Sequence, residues 1–165
     1  MTQPPDGAND QNAILRFTLD LPEERGYVAG LRKTACCLLA SAGVAQEDLD
    51  DIEVMIGELA TNAVMHACAG SYHVEIEYFG DRVLVVVSDH GRGFPGMGVP
   101  EPGTPRPDPS TNGFTERYGG WGLPLVFSLA DHVEILPRLP HGTTVRAEKR
   151  VGLASARKLA GFVAH

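Results

Sequence analysis

Residues 46–89 read QEDLDDIEVMIGELATNAVMHACAGSYHVEIEYFGDRVLVVVSD, and this stretch decides the fold. In its first half Leu49, Ile52, Ile56, Leu59 and Ala63 recur at spacings of three and four, which is one buried face of a helix. Asp48, Asp50 and Asp51 crowd its start, where the helix dipole favours negative charge. The pattern predicts a helix from about Gln46 to Cys68, stopped by Gly70. The second half changes period. Val74, Ile76 and Tyr78 alternate with His73, Glu75 and Glu77, and after Gly80-Asp81 comes the apolar run Val83, Leu84, Val85, Val86, Val87. Alternation predicts a strand over 72–79, the two-residue turn makes its neighbour antiparallel, and the apolar run over 82–88 suits a central strand.

Upstream, Ile14, Arg16 and Thr18 alternate with Leu15, Phe17 and Leu19, which predicts a strand from Ile14 to Asp20. Pro22 and Glu23 are expected to open a helix that runs to about Ala42 and ends at Gly43, with Leu31, Ala35, Leu38 and Leu39 as its apolar stripe. Downstream, residues 89–118 hold Gly and Pro too densely for helix or strand. A helix is expected from about Gly122 to Asp131. Strands are expected over His132 to Leu136 and Thr143 to Arg150, around a Pro137–Gly142 turn. Residues 1–13 read as a disordered tail, 14–150 as one domain, and 151–165 as a second tail with a possible short helix over 153–163. Neighbouring strands with short turns and helices between them give an α+β class: a two-layer sandwich, with a mixed, mostly antiparallel sheet carrying helices on one face.

The chain has 165 residues, 43% hydrophobic and 21% charged, with a formal net charge of −7. That balance, without any cluster of Lys and Arg, argues against a nucleic-acid partner. No stretch approaches the roughly 18 apolar residues of a spanning helix, so no membrane partner is expected. The three cysteines, Cys36, Cys37 and Cys68, form no Cys-x-x-Cys pair. They read as free thiols of a reducing, cytoplasmic compartment, with Met55 and Met65 as core fillers.

Four short elements carry chemistry. Glu58 and Asn62 stand four apart on the second helix, about 6 Å along its axis and on one face, with His66 a turn further. An amide oxygen suits Mg²⁺, which is held by few protein groups plus phosphates, and a nearby carboxylate can take a proton. A solvated polar stripe would look the same. Asp89-His90-Gly91-Arg92-Gly93-Phe94 follows the apolar strand, so a carboxylate able to accept from an exocyclic amine is followed by glycines that let backbone approach a ring. A simple turn would also fit. Gly91, Gly93 and Gly96 match Gly-x-Gly-x-x-Gly, but Pro95 and Pro100 forbid the helix that a dinucleotide fingerprint must open. Gly119-Gly120-Trp121-Gly122-Leu123 heads a helix, where free backbone amides bind anions. A Walker loop is ruled out by the absence of any Gly-Lys pair. Gly142-Thr143-Thr144 enters the last strand.

In this order the four elements resemble the GHKL ATPase superfamily, the Bergerat fold, and most closely its branch of anti-sigma-factor serine kinases, from about Ile14 to Arg150. The resemblance implies ATP and Mg²⁺ as ligands. It implies Glu58 as the general base, Asn62 as the magnesium ligand, and Asp89 on the adenine amino group with Thr143 assisting through water. Gly91 and Gly93 would form the hinge and purine wall, Gly120, Gly122 and Leu123 would stand at the phosphates, and residues 91–118 would form an ATP lid. It further implies a serine of a STAS-domain anti-sigma-factor antagonist as substrate and a sigma factor as second partner, and it allows a homodimer. Trp121 stands where relatives often carry Arg. Three competing readings stay open: an ATP-dependent module that sequesters a partner without phosphotransfer, a detached histidine-kinase catalytic domain, and an unrelated α+β domain.

Overall fold

The computed structural model of the chain describes residues 13–66, 70–91 and 122–154. Within them lie five strands and three helices: β1 Leu15–Pro22, α1 Arg25–Ser41, α2 Gln46–His66, β2 Ser71–Tyr78, β3 Arg82–Asp89, α3 Gly122–Leu129, β4 His132–Pro137 and β5 Thr143–Arg150. The strands form one sheet in the order β1-β2-β3-β5-β4, antiparallel at each pairing. The α+β two-layer expectation therefore holds, with β3 at the centre as its apolar run required.

Register explains which side the helices cover. Leu15, Phe17, Leu19 and Leu21 of β1 pair with Tyr78, Ile76, Val74 and Tyr72 of β2. Those β2 residues pair in turn with Val83, Val85, Val87 and Asp89 of β3. Because side chains alternate in a strand, all of these share one face. That face meets the stripe of α2, where Leu49, Ile52, Ile56, Leu59 and Ala63 are all buried. Leu31, Ala35 and Leu39 of α1 and Leu123, Val126 and Phe127 of α3 close the same core. The other face carries charge. Arg16 pairs with both Glu75 and Glu77, Arg82 with Glu148, and Arg146 with Glu134.

Several expectations shift. Pro22 opens no helix; it ends β1 opposite Ser71, and α1 begins at Arg25. β1 lies at an edge of the sheet, where a residue without an N–H is tolerated. The first strand starts at Leu15, not Ile14, and Asp89 is the last residue of β3, not the first past it. Leu38 leaves the predicted stripe and is 38% exposed. Met65 is no core filler, being 51% exposed, whereas Met55 is fully buried. Cys37 is exposed, while Cys36 is half-buried against α2, with its Sγ 3.8 Å from the Leu49 carbonyl. Burial, then the charge of Glu53, pushes the Cys36 thiol up to about 11, so it stays protonated at neutral pH. α3 ends at Leu129, two residues early. Residues 1–12 of the first expected tail and 155–165 of the second, with Cys68 and nearly all of the expected lid, lie outside the described residues. In the described part of the second tail, Leu153 bridges to Val44.

Among the described residues no helix is long and apolar enough to cross a membrane.

Candidate functional site

Asp89 ends β3 on the helix-covered face, opposite Tyr72. Its Oδ1 accepts a 2.8 Å hydrogen bond from the Gly91 backbone N–H. This turn fixes the carboxylate and leaves Oδ2 with no hydrogen bond among the described residues. An Asp held this way presents one free acceptor at the end of a buried strand. Asp89 closes β3 where the sequence put it just past the strand, and its turn onto Gly91 is visible only in three dimensions.

Gly142 supplies the second wall. It sits at φ +121, in the region that favours glycine, and a Cβ there would stand 2.1 Å from the Asp89 carbonyl oxygen and 2.9 Å from the His90 Cα. The start of β5 can therefore meet the end of β3 only as glycine. Ser88 pairs with Thr144, their hydroxyls 2.9 Å apart on the open face. Continuing that register by one residue puts Thr143 beside Asp89, on the helix side. Thr143 is a buried polar residue, 5% exposed. Asp89, Gly91 and Thr143 are thus brought together, as the sequence suggested.

The third wall is where α2 meets α3. The Glu58 carboxylate lies directly against Gly122: a Cβ on that glycine would stand 2.5 Å from Glu58 Oε2. α3 has no acidic residue in its own first turn, so Glu58 puts the negative charge where the helix dipole rewards it. The same amides at this helix start suit a phosphate. Leu123 is 1% exposed within the core, so only its backbone can face a ligand. Asn62 lies one turn beyond Glu58, and its Nδ2 is buried without a partner among the described residues. Gly93, Gly120 and Trp121, together with the loop between, lie outside the described residues, as does the His66 side chain.

These groups fit a magnesium-bound triphosphate. They comprise one hard amide oxygen and the backbone amides at the start of α3, beside the Glu58 carboxylate.

Behind the site, Lys149 ties three elements. Its Nζ is 2.8 Å from Asp51 Oδ2 of α2 and donates a 3.1 Å hydrogen bond to the Leu129 carbonyl at the end of α3. Sequence reading missed this clamp, since nothing in the order of residues links positions 51, 129 and 149.

Comparisons with known proteins agree with this geometry. A model of the family described as histidine kinase-like ATPase domain matches residues 21–149. The serine-protein kinase RsbW of Staphylococcus epidermidis is 33% identical over 120 residues, covering 70% of this chain and 75% of that protein. The RsbW of Bacillus velezensis is 28% identical over 148 residues, covering 78% and 91%. Among solved structures, the RsbU and RsbW domains of Rv1364c from Mycobacterium tuberculosis match with a TM-score of 0.59 at 21% identity. That match covers 86% of this chain and 34% of that one, so the present chain spans about a third of it. The SiaB–SiaC complex from Pseudomonas aeruginosa matches with a TM-score of 0.62 at 13% identity, covering 84% and 90%. At such identities the two structures speak for the fold alone.

Proposed function

This chain belongs to the histidine kinase-like ATPase domain family, and we propose that it is an ATP-dependent serine-protein kinase of the RsbW kind that acts as an anti-sigma factor. The observation that carries the reading is the contact of Glu58 with Gly122, which sets a carboxylate at the start of α3, where free backbone amides suit an anion. The family match and the serine-protein kinase relatives support the activity.

In this reading Asp89 accepts from the adenine amino group through its free oxygen, and Thr143 assists through water. Gly91 and Gly93 would form the hinge and purine wall. The amides of Gly120, Gly122 and Leu123 face the phosphates. Asn62 would hold Mg²⁺ through its oxygen; the ion, when bound, neutralises phosphate charge. Phosphoryl transfer asks mainly for positioning and charge neutralisation. The substrate serine Oγ forms a bond to the γ-phosphorus, the bond from that phosphorus to the β–γ bridging oxygen breaks, and ADP leaves with the electron pair. Glu58 takes the serine proton, a role worth about 10²–10⁴-fold in rate.

The phosphoacceptor in this proposal is a serine of a STAS-domain antagonist, and the second partner is a sigma factor. A cytoplasmic location follows from such partners, and a homodimer remains compatible with the reading. The test is transfer of labelled phosphate from ATP to STAS-domain proteins. Glu58→Gln should keep ATP affinity within about threefold and lose transfer by about 10²–10⁴-fold. Unchanged turnover in that variant removes Glu58 from the role. Nucleotide binding without any transfer by the wild type would favour a sequestering module instead.

A further inference from the structure

On the helix-covered face of β5, Val145 and Ala147 are buried, and Lys149 continues their row opposite the buried Val83. Its side chain is only 13% exposed. Taking an ammonium out of water is costly, and an apolar residue of similar volume often serves stability as well as a buried ion pair does. What such a pair can add is a defined geometry.

The contacts of Lys149 show which geometry it defines. Its Nζ stands 2.8 Å from Asp51 Oδ2 and donates a 3.1 Å hydrogen bond to the Leu129 carbonyl. Asp51 and Glu58 are two turns apart on α2, so they share a face at a separation of about 10 Å. Gly122 and Leu129, the two ends of α3, have the same spacing in sequence. Glu58 lies against Gly122 at one end, and Lys149 joins Asp51 to Leu129 at the other. α2 and α3 therefore run antiparallel and are tied at both ends over equal lengths. Between the ties Leu123 and Val126 are buried. Apolar packing is non-directional, so it does not by itself fix how far a two-turn helix slides along its neighbour. Two further bonds anchor the exit of α3 to β5: Asp131 N–H donates to the Glu148 carbonyl at 2.8 Å, and Arg150 N–H to Asp131 Oδ2 at 2.7 Å. Lys149 adds the link from that anchor to α2.

We propose that Lys149 is a positioning residue for phosphoryl transfer. Through Asp51 and the Leu129 carbonyl it sets the axial register of α3 against α2, and with it the place of the Gly122 amide relative to the Glu58 carboxylate. It acts at a distance from nucleotide and serine. The inference rests on the kinase reading above and deepens it, since the γ-phosphate and the proton acceptor must stand together in that reading. A slip of about 1 Å between such groups can cost about 10²-fold in rate. The base end, assigned to Asp89 and Thr143 on β3 and β5, does not depend on that register.

The experiment is steady-state transfer of labelled phosphate from Mg·ATP to a STAS-domain protein that the wild-type chain phosphorylates. Sites are counted by calorimetric titration with ATP, so unfolded chains drop out. Lys149→Met should lower kcat per site at least about tenfold, with KM for ATP within about threefold of wild type. Asp51→Asn keeps the bond from Lys149 to Leu129 but releases α2, and should also lower kcat per site. Asp48→Ala is the control. Asp48 Oδ2 accepts a 2.8 Å hydrogen bond from the Gly152 N–H, which ties α2 to the chain after β5 and not to α3, so its kcat per site should stay within about threefold of wild type. An unchanged kcat per site in Lys149→Met overturns the inference, as does a raised KM alone, which reports lost ground-state binding. An equal loss in Asp48→Ala overturns it too, by showing a general loosening of α2. Should Lys149→Met fail to fold, Asp51→Asn decides by the same criterion. If the wild type phosphorylates no STAS-domain protein, the kinase reading fails and the inference falls with it, an outcome that needs no variant.

Discussion

Asp89 is held at two points, its carboxylate by the Gly91 amide at 2.8 Å and its backbone carbonyl by the close approach of Gly142. Gly142→Ala should therefore act on nucleotide binding more than its size suggests. The new methyl would meet the Asp89 carbonyl at 2.1 Å from a φ of +121, so the end of β3 must move. A cost of about 1–3 kcal/mol in stability is expected, with ATP affinity falling at least about tenfold as Asp89 shifts. A normal ATP isotherm in this variant would show that the close approach does not position the base. At this scale Glu58, Asn62, Asp89 and Thr143 could be singled out only through the order of four short motifs and the family resemblance they carry, since a polar helix stripe or a simple turn would look the same. The contact of Glu58 with Gly122 had no signal in the sequence, since no pattern in either segment refers to the other.

Between elements, the geometry of the site depends on how α2 and α3 are fixed over the sheet. Lys149 does this from β5, reaching Asp51 on α2 and the last carbonyl of α3. The ammonium is largely buried, at 13% side-chain exposure, while Asp51 is 39% exposed. Breaking the pair by Asp51→Asn leaves the charge with one neutral acceptor. Removing one partner of a fully buried pair costs about 3–5 kcal/mol; solvent at Asp51 reduces that to about 1–2 kcal/mol. The thermal midpoint should fall by about 2–8 °C in a chain of this length. Lys149→Met, which fills similar volume without a charge to strand, should cost less. An equal or larger loss in Lys149→Met would mean that the clamp acts through more than charge. Elements of strong period were readable from the sequence: α2 and β5 begin where expected, and the paired hairpin β2–β3 follows its alternation. Element ends were less so. Pro22 looked like a helix opener because its fixed φ suits a first turn, but a place at the sheet edge lets it finish a strand instead. Leu38 and Met65 fit an apolar count yet lie on outward faces, because the stripe that meets the sheet is narrower than the apolar pattern.

Across the whole molecule, the site gathers residues from α2, β3, α3 and β5 at one end of a five-stranded sheet. The fold class followed from the order of elements, but the interleaving of β5 between β3 and β4 did not, because pairing partners distant in sequence leave no periodic trace. It is that crossover which sets Thr143 and Gly142 beside Asp89. A nucleotide held there through a divalent ion at the amide of Asn62 is open to titration calorimetry with ATP. The folded wild-type chain should bind ATP with Mg²⁺ at least about tenfold more tightly than with EDTA, and Asn62→Ala should abolish that difference. An affinity indifferent to Mg²⁺, or no heat at all from folded protein, would contradict it.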